Sequence, residues 1–206
     1  MSTVVRPALS ASEFFEWEAG QLDKHEFYHG EVFSMAGGTP EHARLAIRAA
    51  FQLERALAGG PCQTFSSDLA VELEPGGHYC YPDLTVVCGP VERSEHGPAA
   101  TNPTVVVEVL SPSTARWDRG GKAEVYRRVP SLQAIVFVAT DRQSVEGLAR
   151  DGERWVLIEP DADRQFLLDA LGVSLDVEAL YDGMGLSADI PFPESDRDWP
   201  GAGSGR

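Results

Sequence analysis

Two hydrophobic periods divide the chain. In the first part the helical period dominates. Ser10-Ala-Ser-Glu13 has the form of a reciprocal helix cap and is followed by FFEWEAG, which predicts a short helix over about 10–20. HEFYHGEVFSMAGG then alternates apolar and polar positions on either side of His29-Gly30, the pattern of a hairpin. Thr39 can cap a second helix with Pro40 at its first position, running to about Ala58. Its predicted apolar stripe is Ala43, Ala46, Ile47, Ala50, Phe51 and Leu57, and Gly59-Gly60-Pro61 stops it.

From there the strand period takes over. DLAVELEPGGHYCYPDLTVVCGP reads as two strands about a turn at Pro75-Gly76-Gly77, with Leu69, Val71 and Leu73 alternating with Ala70, Glu72 and Glu74. After a loop over about 89–102, VVVEVL is the most apolar stretch and reads as a strand buried on both faces. A helix is expected at about 117–129. Strands follow at 134–140, 144–150 and 154–160, and a short helix near Val177–Tyr181. PFPESDRDWPGAGSGR, rich in Pro, Gly and charge, reads as a mobile tail. The result is one α/β domain of mixed α+β type over 1–190 with a tail over 191–206, and no internal repeat.

Glu108 breaks the apolar pattern. A carboxylate inside a valine strand is costly unless it is paired or holds a metal. Strand alternation puts Val106, Glu108 and Leu110 on one face. Asp83 opens the preceding strand after Pro82, and pairing of the two strands would bring both carboxylates to one spot. Their repulsion would be relieved by a hard divalent cation such as magnesium, which favours oxygen ligands. On the helix that follows, Asp118, Lys122 and Tyr126 recur every fourth residue and share a face, so Lys122 can fold back towards the carboxylates. The plainer alternative is that Glu108 is one half of an ion pair with Lys122 or an arginine. His42 reads as a surface or capping histidine and Tyr126 as packing.

Asp83, Glu108 in an apolar strand and a lysine resemble the PD-(D/E)XK nuclease superfamily. More narrowly, YPDLTVV followed by PTVVVEVLSPSTARWDRGGKAEVY resembles the bacterial restriction-endonuclease-like family in which the lysine has moved from the strand to the following helix. HEFYHGEVFSMAGG and EHARLAIRAAFQLERAL resemble that family's opening hairpin and helix, so the likeness covers about 10–160. It implies a restriction-endonuclease-like fold, a central mixed sheet flanked by helices. It implies Asp83, Glu108 and the backbone carbonyl of Val109 as ligands of Mg2+, with Mn2+ as a substitute, and Lys122 as the catalytic cation. Glu26 would bind the metal through water and Asp118 would orient the lysine. LQAIVFVATDRQ departs from the family in lacking a proline after Asp141.

These implications make a metal-dependent endonuclease acting on nucleic acid, DNA foremost, the leading reading. A catalytically inactive member acting as a binding or assembly module is the alternative. A net charge of -15 opposes a generic nucleic-acid binder and favours the alternative. Cleavage of both strands needs two active sites, so a homodimer is expected. No stretch approaches the length of a membrane span, and the N-terminus has no export pattern, which predicts a cytoplasmic protein without a membrane partner. Cys62, Cys80 and Cys88 read as reduced, buried thiols.

Overall fold

Local signals set the early elements. In the computed structural model, which describes residues 2–4, 8–35, 37–112, 115 and 118–187, Ser10 and Glu13 cap helix α1 (Ala11–Glu18) reciprocally. Strand β1 (Ser2–Val4) pairs with β3 (Glu31–Ser34), which forms the expected hairpin with β2 (His25–Tyr28). His29 and Gly30, at φ 46° and 92°, make the turn between them. Helix α2 (Pro40–Leu57) starts where expected, with the Thr39 hydroxyl accepting from the His42 amide.

The buried face of α2 is not the predicted one. Leu45, Ala49, Leu53 and Leu57 face the core, while Ile47 and Phe51 are 71% and 64% exposed. Ala46 and Ala50 lie at the edge of the contact. Apolar residues are spread around this helix, so periodicity alone leaves two candidate stripes. Leu45, Ala49, Leu53 and Leu57 recur every fourth residue, and the three leucines among them reach deeper than the alanines that dominate the other stripe.

The remaining strands are β4 (Cys62–Ser66), β5 (Ala70–Glu74), β6 (His78–Cys80), β7 (Leu84–Cys88), β8 (Ala99–Ala100), β9 (Val105–Leu110), β10 (Ala134–Ala139), β11 (Val145–Asp151), β12 (Arg154–Ile158), β13 (Gln165–Leu168) and β14 (Val173–Asp176). One six-stranded sheet has the order β1-β3-β2-β6-β5-β8, the other β12-β11-β10-β9-β7-β4, and β13 and β14 form a separate ribbon. The stretch read as one strand after Gly77 is therefore two, in different sheets. Pro82 has no amide hydrogen for a ladder, and the chain changes sheets at Tyr81-Pro82-Asp83. The valine strand β9 is central, parallel to β10 and antiparallel to β7, and all six of its residues are buried.

The helix expected over 117–129 is shorter and begins irregularly. Asp118–Lys122 forms a π-helical turn that leads into α3 (Ala123–Tyr126). Gly120-Gly121 has low α-helical propensity, and such wide turns recur at functional sites. Residues 116 and 117 and the C-terminal tail over 191–206 lie outside the described residues. The short helix α4 (Val177–Tyr181) is where the pattern put it.

Two apolar clusters use opposite faces of β9. Val105, Val107 and Val109 pack under α2 together with Val136, Val138 and α4. Val106 and Leu110 pack with Val71, Leu73 and Cys80 of the other sheet and with Ala123 and Tyr126 of α3. The cysteine expectation needs correction, because Cys62 and Cys88 form a disulfide and only Cys80 is a free, buried thiol. The register of β4 against β7 places Cys62 directly opposite Cys88, a pairing that their sequence spacing does not reveal.

Candidate active site

Glu108 sits at the polar end of the second cluster. Antiparallel pairing sets Leu84 opposite Val107, so continuing the register places Asp83, one residue before β7, against Glu108. The Asp83 carboxylate closes the end of the ladder, its Oδ2 accepting from the Val109 amide at 2.7 Å. Lys122 comes from the π-helical turn. Its ammonium lies 2.8 Å from Glu108 Oε1 and 3.1 Å from Glu26 Oε1, and these three side chains are 5–7% exposed. The hydroxyl of Tyr126, one turn further along, donates to the same Glu108 oxygen at 2.5 Å and lies 3.4 Å from Cys80 Sγ.

Burial and charge act together here. Desolvation, with repulsion from Asp83 and Asp118, raises the Glu108 carboxyl to about 8 despite the neighbouring ammonium. For Lys122, burial pushes the other way, but Glu108, Glu26, Cys80 and Asp118 outweigh it and hold the ammonium well above its ordinary range. Burial first, then the nearby acidic groups, pushes the Tyr126 hydroxyl up. Lys122 is therefore a fixed positive charge and Glu108 a carboxyl that a second cation would help to ionise.

Five of the sequence-derived site residues, Glu26, Asp83, Glu108, Asp118 and Lys122, are thus brought to one place. Asp118 is buried, and its charge is felt by Glu108, Lys122 and His42. Val109, whose carbonyl is the sixth expected contributor, meets Asp83 through its amide. Two residues were missed. Tyr126, read as packing, bonds to Glu108. His42, read as a surface or capping residue, reaches Asp83, its Nε2 lying 3.1 Å from Oδ1 and 3.2 Å from Oδ2. The Asp83 hydrogen bond raises the His42 pKa against the effect of partial burial. The Asp118–Lys122–Tyr126 spacing could have found Tyr126. Nothing local marks His42, because only the packing of the start of α2 beside the start of β7 brings it there.

Hard-cation chemistry fits this donor set in part. Among the described residues there is no group of three or more His, Cys, Asp and Glu side chains arranged around a metal position. A carboxylate pair, with Asp83 raising the pKa of Glu108, is nevertheless what magnesium uses. It commonly takes one or two carboxylates and fills its remaining positions with other oxygens and water. The Lys122–Glu108 contact is also the ion pair of the plainer alternative. Among the described residues no helix is long and apolar enough to cross a membrane.

Residues 11–178 match the Uma2 family, described as "Putative restriction endonuclease". The chain is 34% identical over 180 residues to the uncharacterized protein slr1290 of Synechocystis sp., covering 86% of this chain and 94% of that one. It is 31% identical over 153 residues to a second uncharacterized Synechocystis protein, sll1609, covering 73% and 86%. A crystal structure described as a "putative nuclease belonging to DUF820", from Anabaena variabilis, superposes with a TM-score of 0.63. It shares 15% identity and covers 84% of this chain and 97% of that chain. That likeness shows the fold.

Proposed function

The chain belongs to the Uma2 family described as "Putative restriction endonuclease", and on that basis we propose that it is a metal-dependent endonuclease that hydrolyses phosphodiesters of DNA. The observation that carries this reading is the buried Glu26–Lys122–Glu108 cluster beside Asp83. Asp83, Glu108 and the Val109 carbonyl would hold Mg2+, with Mn2+ able to replace it. When bound, such an ion polarises a phosphoryl oxygen and makes a bound water more acidic.

The protein's own residues have separate tasks. Tyr126 and Lys122 both donate to Glu108 Oε1 and fix the rotation of that carboxyl group. Glu26, the second carboxyl in contact with Lys122, keeps the ammonium charged and in place. Lys122 adds positive charge where the phosphate's charge rises during attack, and Asp118 adds to the field that keeps Lys122 protonated. The protein would act in the cytoplasm, and a twofold dimer would present two such sites to the two strands.

One observation favours the non-catalytic alternative. A net charge of -15 repels a polyanion, so an inactive member of the family would serve as a binding or assembly module. Supercoiled plasmid and single-stranded RNA, each incubated with the protein in Mg2+ or Mn2+, separate the two. The nuclease reading expects divalent-dependent nicking of the plasmid that Asp83→Asn, Glu108→Gln and Lys122→Met each abolish. A folded wild type that cuts neither substrate would overturn it.

A further inference from the structure

We propose that His42 is a positioning residue for the metal site, holding the Asp83 carboxylate in the orientation that faces Glu108; this rests on the metal-dependent reading above. Asp83 has no support from a strand of its own, because it stands one residue before β7, just after Pro82. Two donors from different elements fix it instead. The Val109 amide of β9 reaches Oδ2 at 2.7 Å. The His42 imidazole of α2 spans both oxygens, at 3.1 Å and 3.2 Å. Together they set the plane of the carboxylate and therefore the direction of the lone pairs left for a cation.

The imidazole is itself held in place. His42 is on the first turn of α2, where its amide donates to the Thr39 hydroxyl. Behind the ring is Gly38, where a Cβ would stand only 2.8 Å from His42 Nδ1 and 3.2 Å from Cγ. A side chain there would press against the ring, so glycine at this position leaves the imidazole its seat. Gly38 is exposed and its backbone is outside the left-handed region, so an alanine there strains neither core nor backbone. The hydrogen on Nε2 is present in the imidazolium and in one of the two neutral tautomers, so the hydrogen bond does not depend on the charge of the ring. Groups that orient a metal ligand in this way typically contribute 10–100-fold to metal affinity.

Calorimetric titration with MnCl2 of the chelator-stripped protein tests this, using wild type, His42→Ala, His42→Gln and Gly38→Ala, with thermal unfolding of each in chelator. Wild type should bind manganese. His42→Ala should bind it about 10–100-fold more weakly, and Gly38→Ala should be weakened in the same sense although the imidazole is still present. His42→Gln, which keeps an N–H donor of similar reach, should recover part of the loss. A purely structural histidine would lower the melting temperature and leave manganese affinity unchanged. If wild type binds manganese and both His42→Ala and Gly38→Ala bind it equally well, the role of His42 is refuted while the metal reading stands. If wild type takes up none, the metal reading fails and this inference fails with it. Should His42→Ala not fold, Gly38→Ala decides.

Discussion

The two faces of β9 are built from the same strand and solve different problems. Towards α2 it presents Val105, Val107 and Val109, and the cluster around them is made of aliphatic and aromatic side chains. Towards α3 it presents Val106, Glu108 and Leu110, and among the apolar groups of that cluster lie a carboxyl, an ammonium and a phenol. One face supplies stability by removing apolar surface from water. The other keeps charges out of water that would be cheaper left in it. A sequence whose only requirement was to fold could have filled the second face as it filled the first.

Moving a carboxyl to the wrong face should have the largest effect. Val107→Glu would bury an acid among the apolar side chains packed under α2, and the protein should not fold, as judged by loss of cooperative unfolding. Removing the cation from the polar face comes next. Lys122→Met leaves Glu26 and Glu108 buried beside each other without their ammonium, and should cost about 3–5 kcal/mol in denaturant unfolding at neutral pH. An unchanged midpoint would mean that the charges are better solvated than their burial implies.

The flank of the polar face should be visible in pH dependence. Burial of the His78 ring holds its pKa down to about 4, from 6.5. Between those values the unfolded chain binds a proton that the folded one refuses, so stability falls as pH drops from about 6.5 to about 4, by roughly 3 kcal/mol at most. His78→Phe should flatten that part of the stability curve relative to wild type; parallel curves would contradict the assignment. The smallest effect belongs to Tyr126→Phe. It removes the hydrogen bond to Glu108 and the contact with Cys80, worth about 0.5–1.5 kcal/mol each, and leaves the aromatic packing in place. A loss below that range would make Tyr126 packing, as its sequence context suggested.

What was legible in the sequence was what local chemistry decides. The Ser10–Glu13 cap, the His29-Gly30 turn and the Thr39-Pro40 helix start are short-range signals, and each element begins where its signal stands. Glu108 was legible because it violates its surroundings, an acid among valines, and Lys122 because it recurs at helical spacing with Asp118 and Tyr126 on the segment that follows. The sheet change at Tyr81-Pro82-Asp83 was half legible, since proline forbids a continuing ladder but does not say where the chain goes next. The misassigned face of α2 shows where period counting stops, because Ile47 and Phe51 fit a stripe as well as Leu45 and Leu53 do. The Cys62–Cys88 disulfide and the His42–Asp83 contact were not legible at all. Both join residues that are far apart in the chain and carry no mark in their neighbourhoods.

Manganese titration of wild type beside Glu108→Gln, in protein freed of metal, tests most directly why the second face of β9 carries a carboxyl. The amide is nearly isosteric, can still accept from Tyr126, and leaves Lys122 its contact with Glu26, so the variant should remain folded. It lacks the negative charge that makes a carboxylate a much stronger ligand than an amide for a hard cation. The expected result is saturable manganese uptake by wild type and none by Glu108→Gln. Equal uptake by the two proteins, or none by either, would contradict the account and leave Glu108 as the partner of Lys122 alone.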